Sequence, residues 1–183
     1  MMKIKYLRVL LVILFAIGAA LLFRSFLFAS YVVDGESMEP TLENRDLLMV
    51  NKVIYSLQDV DRFDVIVFHA NKQEDYVKRV IGLPGDRIAY KNDELYVNGE
   101  TVEEAFLHPF VKASNNTPHT KNFDLEEKTG KSEVPVGKLF VMGDNREDSL
   151  DSRSFGFISK EQIVGKVGIR YWPLSHATFS FGK

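Results

Sequence analysis

Tyr76-Val77-Lys78-Arg79-Val80-Ile81 is the stretch that indicates the fold class most directly. As a β-strand it would place Tyr76, Lys78 and Val80 on one face, because successive side chains point to opposite sides. Further strand candidates are residues 47–50, 65–68, 139–142 and 164–172. Helical periodicity is weak beyond the N-terminal region, so the sequence predicts a mainly β protein.

Two tight turns are predicted in the middle of the chain. Asn92-Asp93 and Asn98-Gly99 are residue types that tolerate the backbone of a hairpin turn. The strands that they would connect are residues 87–90, 94–97 and 100–102. Residues 114–133 are polar and rich in Asn, Lys and Glu, which predicts a solvated loop or an exposed hairpin extension.

The N-terminal region contains an apolar segment. Residues 9–23 are continuously apolar, and residues 26–29 resume the run after Arg24-Ser25. As a helix, residues 9–29 would span about 31 Å, close to the thickness of the hydrocarbon core of a bilayer. The basic residues that precede the run are Lys3, Lys5 and Arg8. The positive-inside rule therefore predicts a cytoplasmic N-terminus and an extracytoplasmic remainder.

A cleaved secretory signal peptide is the alternative interpretation of this segment. Cleavage would need small residues at the minus-one and minus-three positions, and Leu27 or Phe28 would occupy minus three. A retained membrane anchor is therefore favoured.

Composition narrows the possible functions. The chain has 183 residues, of which roughly 150 follow the apolar segment, enough for one domain with a subsidiary lobe. The absence of cysteine excludes disulfides, thiol nucleophiles and thiolate metal sites. A net charge of −2 gives no basic field for nucleic acid, and the four histidines are too scattered to favour a metal site.

Ser37 follows the apolar segment closely and is a candidate nucleophile. A serine hydroxyl is a poor nucleophile until a base removes its proton. Gly35-Glu36-Ser37-Met38-Glu39 resembles half of a nucleophile elbow but lacks the second glycine, and no histidine lies in a recognisable triad pattern. A structural turn serine ahead of Pro40 is the alternative interpretation.

Lys78 is a candidate base. Lysine can accept a proton only when neutral, so its usual pKa near 10.4 must fall by several units, as desolvation causes. Tyr76 and Val80 would provide an apolar setting on the same strand face. A solvated strand lysine is equally compatible with the local sequence.

A dense polar run, Gly143-Asp144-Asn145-Arg146-Glu147-Asp148-Ser149-Leu150-Asp151-Ser152-Arg153, follows one of the predicted strands. Charges of both signs are crowded into its eleven residues. The run is compatible with a solvated charged loop, and equally with an ion-paired loop that fixes neighbouring groups.

Taken together, and in the order in which they occur along the chain, these motifs resemble those of bacterial type I signal peptidases, in the small form typical of Gram-positive organisms with one N-terminal anchor. The resemblance covers essentially the whole chain. The segments that carry it are residues 35–42, 64–68, 78–86 and 143–153. Each motif alone is weak, whereas their combination in this order is highly specific.

The resemblance implies roles for individual residues. Ser37 would be the acylating nucleophile and Lys78 the general base. The Ser37 amide would donate to the oxyanion, and a backbone amide would be the second donor, because Gly35 stands where some members carry a serine hydroxyl. Ser149 would orient the lysine amine.

The resemblance also implies two supporting ion pairs in the polar run. Asp151 would pair with Arg153, and Asp144 would pair with Arg79, the residue after the lysine. Both pairs would fix the geometry around the serine and the lysine.

The family fold implied is a single transmembrane helix followed by an antiparallel β catalytic core with a small inserted β lobe. The expected divisions are residues 1–30 for the anchor, 31–85 and 137–183 for the core, and 86–136 for the lobe. The expected reaction is removal of signal peptides from secretory preproteins at small-x-small sites, on the outer face of the lipid bilayer. No cofactor, metal or nucleic acid is implied.

Three other functions remain open from the residues alone. A self-cleaving serine–lysine regulator would need a DNA-binding region, whereas this chain has an apolar segment. A membrane-tethered, non-enzymatic β binding module would explain the anchor and strands but not the matched motifs. A histidine-triad hydrolase would require one of the four histidines for turnover.

Overall fold

The computed structural model describes residues 2–107, 119–179 and 181. Helix α1 (Met2–Leu27) comes first, and its segment Leu10–Leu27 is long and apolar enough to cross a membrane. The helix ends two residues before the predicted end at residue 29. The prediction was wrong there because Phe28 and Ala29 already pair with a neighbouring strand.

Strands and short helices follow α1 along the rest of the chain. The strands are β1 (Phe28–Val32), β2 (Leu47–Asn51), β3 (Val65–His69), β4 (Asp75–Gly82), β5 (Ile88–Lys91), β6 (Glu94–Val97), β7 (Glu100–Val102), β8 (Phe123–Asp124), β9 (Lys138–Met142), β10 (Ile158–Ser159) and β11 (Ile163–Trp172). The short α-helices are α2 (Leu125–Thr129) and α3 (Ser152–Phe155), and single 3-10 turns lie at Ile54–Ser56, Ala105–Leu107, Lys160–Gln162 and Leu174–His176.

The strands form two antiparallel sheets. The larger has seven strands in the order β1-β2-β11-β3-β4-β9-β10, and the smaller has four in the order β7-β6-β5-β8. The predicted fold class, mainly β and antiparallel after an N-terminal apolar helix, is confirmed.

Both faces of the larger sheet are covered in its middle. In β3, Val65 and Val67 belong to one apolar core, whereas Ile66 and Phe68 belong to another. A strand buried on both faces is apolar throughout instead of alternating. This explains why residues 65–68 form a continuous apolar run.

The smaller sheet is built on the predicted turns. Asn92 and Asp93 have φ values of 52° and 66°, and Asn98 and Gly99 have values of 55° and 87°. Asn, Asp and Gly adopt this left-handed region at low cost, so each pair reverses the chain within two residues. The two predicted hairpins are confirmed by the pairing of β5 with β6 and of β6 with β7.

The described part of the polar stretch at residues 114–133 is mostly exposed, as predicted, but the prediction of a loop was wrong, because it contains a short strand and a helix. Phe123 and Leu125 are buried, and β8 pairs with β5. Asp124 caps α2 by accepting a hydrogen bond from the Glu127 amide. A two-residue strand and a five-residue helix are too short to give a periodic signal, which is why the prediction failed. Residues 114–118 lie outside the described residues.

The two sheets share an apolar contact. Phe123 of the smaller sheet lies 6.1 Å from Phe140 of β9, measured between ring centroids, and stacks on Tyr90 at 5.2 Å. The smaller sheet therefore packs against the strand that leads into the polar run at residues 143–153. The division of the chain at residues 86 and 136 stays a prediction.

Replacing Phe123 with Ala should destabilise the full chain by about 3 to 5 kcal/mol, the usual cost of removing a buried phenylalanine. Thermal and urea unfolding in detergent would measure the change. The control is Lys121→Ala, on an exposed neighbour. Equal stability of the two variants would contradict the packing of residues 119–133 against the core.

Candidate active site

Ser37 and Lys78 lie next to each other in the folded chain. Ser37 lies in the connection between β1 and β2, and Lys78 lies in the middle of β4. The Lys78 Nζ atom is 2.6 Å from the Ser37 Oγ atom. This is hydrogen-bonding distance, so a neutral amine at Lys78 can accept the proton of the serine hydroxyl.

The surroundings of Lys78 favour its neutral form. The residue is only 4% exposed, and Nζ lies 5.4 Å from the centre of the Tyr76 ring. Burial lowers the pKa of Lys78 from 10.5 to about 8, while the negative charges of Asp151 and Asp144 act in the opposite direction. About a tenth of the amine is therefore unprotonated at pH 7, whereas a lysine with an ordinary pKa is almost completely protonated there.

The loop that carries Ser37 is held from two sides. Met38 and Leu42 are buried in the apolar core that also contains Val65 and Val67. On the other side, the Asn145 amide donates to the Ser37 carbonyl at 3.1 Å. This contact was not predicted, because no spacing rule connects an asparagine in the polar run with a backbone group so far away in the chain.

Gly143 lies directly against the backbone of Ser37. A Cβ atom at this position would overlap with the Ser149 hydroxyl oxygen and the Ser37 carbonyl oxygen. The close approach of the two serines to the backbone therefore requires glycine. The Ser149 hydroxyl has no hydrogen-bond partner in the described part of the chain, and its predicted role in orienting the lysine stays a prediction.

Gly35 lies two residues before Ser37, with a φ of 96° that favours glycine. Its amide donates to the Asn44 side-chain oxygen at 3.3 Å. The amide is thus oriented toward Asn44 in this structure, and the identity of the second oxyanion donor stays a prediction.

Asp151 and Arg153 form an ion pair within the polar run. Arg153 donates to Asp151 from Nε at 2.8 Å and from a terminal nitrogen at 2.6 Å. Asp151 also accepts a hydrogen bond from the Gly143 amide at 3.1 Å, which fixes the position of this glycine. Burial alone would raise the pKa of Asp151, but the hydrogen bonds and charge of Arg153 outweigh it and lower this pKa.

Arg79 and Asp144 form a second, completely buried pair. Arg79 donates to the two Asp144 oxygens at 2.9 and 2.6 Å, and both side chains are 0% exposed. The guanidinium also donates to the carbonyl oxygens of Phe63 and Phe181, and it stacks on Phe106 at 3.8 Å. Its donors are thus distributed between the polar run, the core and the C-terminal segment.

A third pair, which was not predicted from the sequence, connects the polar run with the segment that follows β7. Arg146 donates from Nε to the Gly143 carbonyl at 2.9 Å, and its other nitrogens contact Glu104 and Tyr90. All of these groups are buried. The charged character of Arg146 was visible in the sequence, but nothing there identified Glu104 as its partner.

A groove of about 220 Å³ begins at Ser37 and Lys78. It runs between residues 31–35 on one wall and 75–78 on the other. Strand β9 pairs with β4 from Arg79 onward, so residues 75–78 present a strand edge to the groove. Its apolar lining includes Val33, Leu48, Val67 and Val77.

A serine hydroxyl in contact with a buried lysine amine, beside an apolar groove with a strand edge, is the arrangement of a serine hydrolase in which lysine takes the place of histidine. The groove suits an extended peptide, because a strand edge offers main-chain hydrogen bonds. The class of protein defined by fold and site is thus a peptide-cleaving serine hydrolase.

Comparison with known proteins identifies the family. The family described as "Signal peptidase, peptidase S26" matches residues 6–172. Signal peptidase I of Bacillus caldolyticus is 60% identical over 158 residues, which cover 86% of this chain and 87% of that protein. Signal peptidase IB of Staphylococcus aureus (strain MRSA252) is 47% identical over 174 residues, which cover 93% of this chain and 88% of that protein.

A solved structure agrees with these relatives. The crystal structure of a signal peptidase I from Enterococcus faecalis V583 matches with a TM-score of 0.57 and 39% identity, over 60% of this chain and 97% of that chain. The chain belongs to the signal peptidase family, peptidase S26, and the resemblance noted in the sequence is confirmed. Family membership and the apolar helix α1 together indicate a membrane-anchored enzyme.

Gly143→Ala should lower kcat/KM by about 100-fold, because displacement of reacting groups by 1 Å can have an effect of this size. The matched control is Gly168→Ala in β11, where the nearest atom to a new Cβ would be 3.8 Å away. Steady-state cleavage assays would compare the two variants, with circular dichroism to verify folding. Wild-type rates for Gly143→Ala would contradict the close approach of the two serines to this glycine.

Proposed function

We propose that this signal peptidase cleaves the bond between a signal peptide and an exported protein with Ser37 as nucleophile and Lys78 as general base. The observation that carries the proposal is the 2.6 Å contact between Ser37 Oγ and a Lys78 amine that is almost completely shielded from water. A shielded amine beside a hydroxyl supplies both parts of an activated serine.

The first step of the mechanism is acylation. Neutral Lys78 removes the Ser37 proton while the serine oxygen attacks the scissile carbonyl carbon. The resulting oxyanion is stabilised by backbone amides, one of them that of Ser37. The protonated lysine then donates its proton to the leaving nitrogen, which departs as the new amino terminus of the exported protein.

Deacylation uses the same groups. Lys78 is neutral again after acylation and removes a proton from a water molecule that attacks the acyl carbonyl. Collapse of the second tetrahedral intermediate returns the proton to Ser37 and releases the signal peptide with a carboxylate end. Every proton transfer in this cycle takes place between Ser37, Lys78, water and the substrate, so the proposed reaction needs no metal or organic cofactor.

The supporting residues act through the loop at residues 143–153. The pairs Arg79–Asp144 and Arg153–Asp151 hold this loop beneath the serine. The Ser149 hydroxyl is buried near Gly143, where it is available to orient the Lys78 amine during turnover. These contacts support positioning roles for all five side chains.

The substrates are proposed to be secretory preproteins with small residues at the minus-one and minus-three positions. An extended segment that pairs with the edge at residues 75–78 would direct alternate side chains into the groove. Apolar walls such as Val33 and Val77 leave room there for small side chains.

The membrane topology follows from the charges that flank α1. Lys3, Lys5 and Arg8 precede the apolar segment, so the N-terminus is placed in the cytoplasm and the catalytic part outside. In this arrangement residues 1–30 anchor the enzyme, residues 31–85 and 137–183 form the catalytic core, and residues 86–136 form the lobe. Enzyme and preprotein then meet within one membrane plane, which raises their effective concentration.

Ser37→Ala and Lys78→Met should each abolish cleavage of a preprotein with an Ala-x-Ala site, because the first removes the nucleophile and the second the base. Lys78→Arg should be equally inactive, since guanidinium stays protonated near neutral pH. Cleavage by the purified full chain would be followed on gels and by mass spectrometry. Turnover by a folded Lys78→Arg variant would contradict the role of Lys78 as base.

The pH dependence of kcat/KM should follow the lowered pKa of Lys78, about 8. The base is active when neutral, so the rate should rise about tenfold per pH unit below the pKa and level off above it. A substrate without groups that titrate between pH 6 and 9 isolates the enzyme's contribution. A rate that is constant from pH 6 to 9 would argue against a titrating base.

A further inference from the structure

The groove has a hydrogen bond across its far end. Tyr31 belongs to β1 and Asp75 is the first residue of β4, and both line the groove. The Tyr31 hydroxyl donates to an Asp75 carboxylate oxygen at 2.9 Å. Because β2, β11 and β3 lie between β1 and β4 in the sheet order, this bond joins the two opposite walls directly. We call it the Tyr31–Asp75 bridge.

Each end of the bridge is held in place. His69 lies opposite Asp75 in the pairing of β3 with β4, and its Nδ1 atom is 2.6 Å from the second Asp75 oxygen. Burial and the neighbouring carboxylate raise the pKa of Tyr31 to about 12, so its hydroxyl stays protonated and donates at physiological pH. Tyr31 is also paired with Leu48 of β2.

The distance of the bridge from the reacting groups follows from the strand geometry. Asp75 precedes Lys78 by three positions in β4. At about 3.3 Å per residue, the bridge lies about 10 Å from the lysine along the groove. An extended substrate whose scissile carbonyl lies at Ser37 would therefore reach it with its third residue before the cleaved bond.

We propose that the Tyr31–Asp75 bridge determines how large a side chain is accepted three residues before the cleaved bond. A small side chain fits in the groove with the bridge intact. A larger one has to separate the two walls and break the hydrogen bond to the Asp75 carboxylate. The residue directly before the cleaved bond lies beside Ser37, away from the bridge, and is not affected. This inference rests on the proposed function.

The test uses the purified full chain in detergent and three preproteins, of which the second and third each differ from the first at one position. The first has Ala at minus three and minus one, the second has Leu at minus three, and the third has Leu at minus one. The variants are Tyr31→Phe, which removes one hydroxyl, and Asp75→Ala, which removes the carboxylate. The matched control is Tyr55→Phe, because the Tyr55 hydroxyl donates to Asp64 at 2.8 Å outside the groove.

Both bridge variants should raise the kcat/KM for Leu at minus three, relative to Ala, by about tenfold, the order expected for one hydrogen bond to a charged group. The ratio for Leu at minus one should stay within about twofold, and Tyr55→Phe should change neither ratio. This position-specific change distinguishes the bridge from a general effect on stability.

Unchanged minus-three ratios in a folded Tyr31→Phe variant would overturn the inference and leave the proposed function intact. An equal rise at minus one and minus three would also overturn it, because it would indicate general loosening of the groove. If the wild type cleaved none of the three preproteins, the proposed function and this inference would fail together.

Discussion

The removal of the Lys78 amine from water is the constraint on which the rest of the site depends. In water a lysine amine is charged near neutral pH, and burial lowers its pKa to about 8. Asp144 and Asp151 are close enough to oppose this effect, since negative charge favours the protonated amine. Each of these carboxylates is paired with an arginine, and the positive charge of that arginine partly cancels its field at the lysine. The ion pairs thus help to keep the Lys78 amine neutral and to hold the loop in place.

Buried ion pairs are a weak source of stability, because the cost of desolvation offsets much of their attraction. Their value in this protein lies in their geometry. The pairs Arg79–Asp144 and Arg146–Glu104 connect the loop at 143–153 to residues outside it, and Arg153–Asp151 is an ion pair within the loop. This loop contains Asn145, whose backbone amide donates to the Ser37 carbonyl, and Gly143, which lies directly against that carbonyl. Through Arg146, the smaller sheet helps to fix the serine without touching it.

The elements that depend on adjacent residues or on local composition were predictable from the sequence. The hairpin at Asn92-Asp93 depends on two adjacent residues, and the helix at Leu10–Leu27 depends on composition. The contact of Ser37 with Lys78 is different. The local sequence left a turn serine and a solvated lysine open, and only the resemblance to a family joined the two residues.

The contacts that escaped prediction share one physical cause. Glu104 and Arg146 are 42 positions apart, and each lies in a connection outside the strands, so their pairing depends on topology that no local pattern contains. Asn145 is a comparable case, since its amide bonds to the backbone of Ser37 and backbone contacts place no demand on residue type. The strand at Phe123–Asp124 and helix α2 were hidden for a second reason, which is that they are shorter than one period of a detectable pattern.

The junction between the anchor and the groove relates the site to the membrane. Helix α1 ends at Leu27, and the next residue, Phe28, is already paired with Asn51 in the sheet. The same strand then supplies Tyr31 to the wall of the groove. A flexible linker would let the site sample many distances from the bilayer, whereas a paired strand removes that freedom. With roughly ten residues between Leu27 and Ser37, the serine lies no more than about 35 Å from the end of the helix. The backbone pairing of β1 with β2 therefore restricts the distance between Ser37 and the end of the apolar helix.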